Sequence, residues 1–156
     1  MKFALLALIA SALPGFCVAA DLASTSVQCP ATLDSSYKPQ PGSRLIGAEV
    51  QGSRALAHAS MATGTPADQH ANALSEFEQD EEATKDGFVT YTYYYETTAQ
   101  SPLSVICAYG EAHGAKTSLL LLPVPSDTKG ICKFRMPSPS VPDTPAKRSS
   151  MTCDVR

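Results

Sequence analysis

Three of the five cysteines, Cys107, Cys132 and Cys153, lie inside a run of short apolar segments. The segments are Phe88–Glu96, Leu103–Tyr109, Ala115–Val124, Lys129–Met136 and Arg148–Val155, with turn residues between them. Alternating apolar runs broken by Pro, Gly, Ser and Asp are the pattern of an antiparallel sheet. Cysteines inside the strands mean that such a sheet is covalently pinned. These features constrain the fold more than anything else in the chain.

The compartment follows from the start of the sequence. Lys2 precedes the apolar stretch Phe3–Ala10, then Pro14, Gly15 and the small residues Val18-Ala19-Ala20. A cationic start, a short apolar core and a small-residue end describe a secretory signal peptide over 1–20, leaving a single β-rich domain over 21–156. Cys17 follows the bulky Phe16, where a lipidated cysteine needs a small residue, so it is read as part of the removed segment. Export removes Lys2, and the remaining 11 basic and 15 acidic residues give a formal charge of −4. An acidic chain is a poor match to nucleic acid or to an anionic membrane surface, and no stable membrane anchor is expected.

Four cysteines then remain: Cys29, Cys107, Cys132 and Cys153. An even number in a small exported chain points to two disulfides, for which three pairings are open. The favoured pairing is Cys132–Cys153 with Cys29–Cys107. Cys132 shares a strand face with Phe134 and Met136, and Cys153 shares one with Met151 and Val155, so neighbouring strands bring the pair together. The competing zinc reading lacks a C-x-x-C pair and needs a reducing compartment, so no metal and no cofactor is expected.

Upstream, Val27–Ala31 reads as a first, edge-type strand because of Pro30. Leu45–Val50 reads as a strand. Ala55–Ala62 is a strand or, being alanine-rich, a helix. Over Ala67–Gly87 the weak stripe Ala71, Ala73, Leu74, Phe77 with Asp68 as N-cap suggests a short helix fading into a mobile acidic loop. The expected fold is therefore mainly β: one disulfide-stapled antiparallel sheet or a sandwich, with one short helix. Ser118–Leu122, apolar on both faces, belongs at its centre.

No catalytic set stands out. His58, His70 and His113 have no metal-ligand spacing. Ser126-Asp127-Thr128-Lys129 matches S-x-x-K but lacks the S-D-N and K-T-G companions. Gly47–Gly52 lacks the lysine of a phosphate loop. Asp80–Asp86 puts Lys85 where a calcium loop requires glycine. The acidic run Glu76, Glu78, Asp80, Glu81 and Glu82 is most often a solvated face; its sharper reading is a docking surface that speeds encounter with a basic partner. Tyr91, Tyr93, Tyr94 and Tyr95 are either core and sheet-face residues or an exposed aromatic patch of the kind favoured at interfaces, and Tyr91, Tyr93 and Tyr95 share one strand face.

Cys29-Pro30-Ala31, Gly64-Thr65-Pro66, Ile106-Cys107-Ala108-Tyr109, the leucines before Pro123, and then Cys132 and Cys153 together resemble a family of small four-cysteine periplasmic proteins of Gram-negative bacteria. Some of its members are encoded near type VI secretion genes. The chain departs from that pattern in holding no tryptophan. The resemblance covers most of the exported chain, but its anchors are framework residues and it carries over no catalytic residue.

The resulting expectation is a non-enzymatic, periplasmic or secreted binding protein. Its most concrete form is an immunity or inhibitor protein that neutralises an envelope-targeting effector through Glu76–Glu82 and Tyr91, Tyr93 and Tyr95. The alternative is an envelope structural or assembly factor acting by strand pairing at Val27–Ala31 or Val89–Tyr95. An unrecognised hydrolase ranks last.

Overall fold

The computed structural model describes residues 26–47, 49–70, 76–110, 117–139 and 148–156, with the backbone alone at 76–77. The expected signal peptide, Cys17, His113 and the stripe residues Ala71, Ala73 and Leu74 lie outside these. The described residues form eleven strands: β1 (Val27–Gln28), β2 (Thr32–Asp34), β3 (Arg44–Gly47), β4 (Ser53–Thr63), β5 (Glu76–Phe77), β6 (Glu81–Lys85), β7 (Phe88–Glu96), β8 (Leu103–Tyr109), β9 (Ser118–Pro123), β10 (Lys129–Pro137) and β11 (Ser150–Val155).

They assemble into two antiparallel sheets. The first has the order β1-β11-β10-β7-β6; the second has the order β2-β4-β8-β9-β3, with β5 also pairing β4. Of the two architectures expected, the single sheet is therefore corrected to a pair of packed sheets. The physical reason is that both sets of strands carry an apolar face. Tyr93, Tyr95, Cys132, Phe134, Met151 and Cys153 of the first sheet bury against Leu56, Met61, Leu103, Val105, Tyr109 and Leu120 of the second. Neither face can be left to water, and each supplies the cover the other lacks.

Strand patterning decides the details. In β10 the side chains alternate, with Cys132 and Phe134 in the core and Lys133 and Arg135 outside. In β11, Met151 and Cys153 are buried while Thr152 and Asp154 are exposed. β9 lies between β8 and β3, as its apolar run requires. Leu120 and Leu122 join the main core, and Leu121 joins Ala62 and Ile106 in a smaller cluster on the outer face. The alanine-rich segment is the long strand β4, with an irregularity between Leu56 and His58 that re-phases it, so that Leu56, Ala59 and Met61 all reach the core.

Both disulfides form in the favoured pairing. Cys29–Cys107 joins the end of β1 to β8 and so ties one sheet to the other, at a Cα–Cα distance of 5.8 Å. Cys132–Cys153 joins residues directly opposite each other on β10 and β11, at 4.0 Å.

No helix occurs among the described residues; the stripe of the expected short helix lies outside them, and its expected mobile acidic tail is corrected. Asp68 turns back toward the residues before it. Its carboxylate accepts from the Thr65 backbone N–H at 2.8 Å and from the Thr65 hydroxyl at 2.6 Å, three residues upstream. These hydrogen bonds hold the Asp68 carboxyl below the usual carboxylate range. The acidic stretch that follows is a strand, β6, because Asp86-Gly87 makes a tight hairpin to β7. Both turn residues take positive φ, 53° and 76°, as a two-residue hairpin turn with right-handed strand twist demands.

Gly130 fits where no side chain can. A Cβ there would lie 1.9 Å from the Asp154 carbonyl oxygen and 2.9 Å from the Tyr95 hydroxyl. Gly130→Ala must therefore part β10 from β11 at this end, and should cost about 1–3 kcal/mol in urea-unfolding experiments, as other overpacked positions do. A cost within error of zero would show that the two strand ends move apart freely.

Candidate partner surface

The expected binding residues divide into two groups in the fold. Tyr93 and Tyr95 are only 3% and 5% exposed, and Tyr91 packs partly buried against the same core. The tyrosine part of the expected surface is thus corrected: this face of β7 looks inward. The reason is register. Cys132 pairs with Tyr93 and Phe134 with Tyr91, and directly opposed residues share a face. A face that carries a buried cystine and a buried phenylalanine is the core face. Tyr91 stacks on Phe134 with ring centroids 6.1 Å apart, and His58 meets the same ring edge-on at 5.2 Å.

The tyrosine left outside is Tyr94, 46% exposed. Two acidic residues hold it. The Asp80 carboxylate accepts the Tyr94 backbone N–H at 2.7 Å, and the Tyr94 hydroxyl donates to Glu81 at 3.2 Å. The Asp80 N–H in turn donates to the Thr92 carbonyl at 2.9 Å, which carries the β6–β7 pairing one step further. The hydrogen bond to Glu81, reinforced by its charge, raises the Tyr94 pKa above the usual tyrosine value, so the phenol stays a donor. Beside Tyr94 lies a shallow depression of about 450 Å³, flanked by Glu96, Lys129, Ile131 and Arg156.

Glu78, Asp80, Glu81 and Glu82 are all exposed. Glu76 lies on β5, and its backbone pairs with Ala62 in the second sheet, away from β6. The acidic residues are therefore not one continuous patch. On β6, Glu81 shares the outer face of the sheet with Thr92, and Glu82 shares the opposite face with Tyr91. Across β7, the outer face turns basic. Lys133 pairs with Thr92, and Arg135 lies 3.8 Å over the ring of Phe88. Two strand spacings, about 10 Å, separate Glu81 from Lys133. The sequence hides this stripe because β6 and β10 are some fifty residues apart in the chain.

β6 is also an unpaired edge among the described strands. Charged side chains on an exposed edge oppose pairing with another chain, so this placement gives the acidic residues a structural role beside any docking role. Val89–Tyr95, one of the two edges expected to accept a partner strand, is interior: β7 lies between β6 and β10.

The remaining chemical candidates are scattered. Ser126 donates to Asp127 on an exposed turn, His58 lies against Phe134, and His70 is exposed near Asp68. Among the described residues, no three His, Cys, Asp or Glu side chains are placed to hold a metal ion. No described helix is long and apolar enough to cross a membrane. The two disulfides point to an oxidising, exported environment. Compared with known proteins, the chain matches no family model, no curated protein and no solved structure.

Proposed function

We propose that this chain is an exported, non-catalytic binding protein that recognises a basic protein partner through the β6–β7 hairpin and Tyr94. Its most concrete form is a periplasmic immunity or inhibitor protein that caps an envelope-directed effector, in keeping with the resemblance to four-cysteine periplasmic proteins. The observation that carries the reading is the exposed Tyr94, held between Asp80 and Glu81 on a cross-linked sheet. A fixed aromatic ring with a protonated hydroxyl makes an anchor of low entropic cost. The carboxylates around it would steer a cationic partner, and the nearby depression would take one of that partner's side chains.

Asp80 holds the Tyr94 backbone, so the test leaves it intact, while Glu81, which takes only the Tyr94 hydroxyl, is replaced. The mature chain captures its partner from the exported proteins of its source, and association is then followed by stopped flow. Glu78, Glu81 and Glu82 replaced together by serine should slow association by about tenfold at low ionic strength and far less at high salt. Tyr94→Ala should chiefly speed dissociation. An association rate that ignores both the triple substitution and the salt would remove the steering role.

A further inference from the structure

The other edge of the first sheet is β1, and it is built without charge. The Cys29 N–H donates to the Met151 carbonyl at 3.2 Å, and the register sets Val27 opposite Cys153 and Gln28 opposite Thr152. In an antiparallel ladder, residues bonded to the partner alternate with residues that are not. Val27 and Cys29 therefore turn their main-chain groups toward β11, and Gln28 turns its N–H and C=O away from it. Pro30 then ends the strand, its carbonyl taken by the Tyr109 hydroxyl at 2.8 Å.

Residues 26–31 form one wall of a cleft of about 630 Å³. The facing walls come from Tyr37, Pro41 and Ser43 of the β2–β3 connection and from Leu122, Pro123 and Pro125 at the end of β9. This volume is in the range of about 300–1,000 Å³ usual for ligand sites. Among the described residues, no Asp, Glu, Lys, Arg or His lines the cleft, and the titratable side chain in that lining is Tyr37. Burial raises that phenol above the usual value, so this lining stays neutral.

We infer that this cleft binds an extended, uncharged segment of a partner polypeptide, added as a strand along the free edge of β1. The Gln28 donor and acceptor, side by side on one edge, match the main chain of an extended peptide. Proline rings and Tyr37 offer flat apolar surface to small side chains such as Val, Ala and Pro. A charged side chain entering here would lose water and gain no counter-charge. This is strand addition, in which main-chain bonds give affinity and the facing wall gives selectivity. The opposite edge, β6, is guarded by carboxylates, which leaves β1, among the described strands, as the edge of this sheet open to a neutral strand. The site is separate from the acidic hairpin and stands or falls apart from it.

The test uses the oxidised full-length mature chain, labelled with ¹⁵N. It is titrated with a randomised pool of uncharged hexapeptides built from Val, Thr, Ala, Pro and Ser, with acidic and basic pools of the same length, and with a neutral hexasaccharide. The uncharged pool should shift the amides of residues 26–31 and Tyr37 and slow exchange of the Gln28 amide. Gln28→Pro removes the outward-facing N–H, together with the Gln side chain and the freedom of φ, and should weaken binding by about fivefold to tenfold. N-methylation of a selected peptide at the facing position should do the same to the unaltered protein, so the result does not depend on how the variant folds. Glu78, Glu81 and Glu82 replaced by serine should leave this binding unchanged. Three outcomes overturn the inference: no shift of these amides at millimolar uncharged peptide, shifts centred on β6, or shifts with the hexasaccharide and not with the peptides.

Discussion

Replacing Cys29 and Cys107 together by alanine is expected to lower the free energy of unfolding by about 4 kcal/mol, the larger of the two disulfide effects. The two cysteines are 78 residues apart in sequence, against 21 for Cys132 and Cys153. In the chain-entropy account a longer closed loop restricts the unfolded ensemble more, so removing Cys132–Cys153 should cost about 3 kcal/mol. The position of the first bridge adds to the difference. It connects β1 to β8 across the core, and both of its cysteines are almost wholly buried. Without it, β1 is left with its short pairing to β11, the packing of Val27 and the bonds of Pro30 and Ala31 just beyond it. Urea unfolding of the two double variants, followed by tyrosine fluorescence because the chain has no tryptophan, gives the comparison directly. A ranking in which the Cys132/Cys153 variant is the less stable would show that unfolded-state entropy does not govern these bridges.

Phe134→Ala should cost about 3–5 kcal/mol, as removal of a buried aromatic side chain typically does. The ring is completely buried, near the point where β10 meets β4. It stacks on Tyr91 and receives the edge of His58, and such aromatic pairs are worth about 0.5–1.5 kcal/mol beyond the area they bury. A loss of this size is a large share of the roughly 5–15 kcal/mol that holds a typical domain together. Phe134→Leu keeps most of the volume and should cost well under half as much. Equal losses for the two variants would mean that ring geometry, and not volume, sets the energy at this position. A loss below 1 kcal/mol for the alanine variant would contradict the packing described.

Much of the fold could be read from the chain, and the failures have identifiable causes. β7 and β8 have the expected bounds, and β10 and β11 differ by one or two residues, because alternation over six to nine positions is a strong signal. The favoured disulfide pairing followed from the same alternation. Alternation reports which side chains share a face, and it does not report which face is inside. That ambiguity left Tyr91, Tyr93 and Tyr95 as possible surface residues, and the pairing of Tyr93 with Cys132 resolves it. The acidic tail differs for another reason: the stripe Ala71, Ala73, Leu74 and Phe77 suggests a helix fading into a loop, while Asp86-Gly87, with φ above zero at both positions, is a hairpin signal that makes the preceding residues a strand. The acids of the candidate surface, Glu78, Asp80, Glu81 and Glu82, were legible. Whether Tyr94, one of the four strand tyrosines, is core or surface was not, because its exposure depends on strands that are distant in sequence. The neutral cleft beside β1 was invisible for the same reason, since three separate stretches of chain build its walls.

The pairing of β1 with β11 joins the two ends of the described chain. A polypeptide made N-terminus first delivers β1 long before the strand it must join. Cys132 and Cys153 emerge close together and can couple within a local hairpin. The partner of Cys29 comes only 78 residues later. Assembly of the first sheet is thus timed by the arrival of its last strand, so that sheet closes only once both ends of the described chain are present.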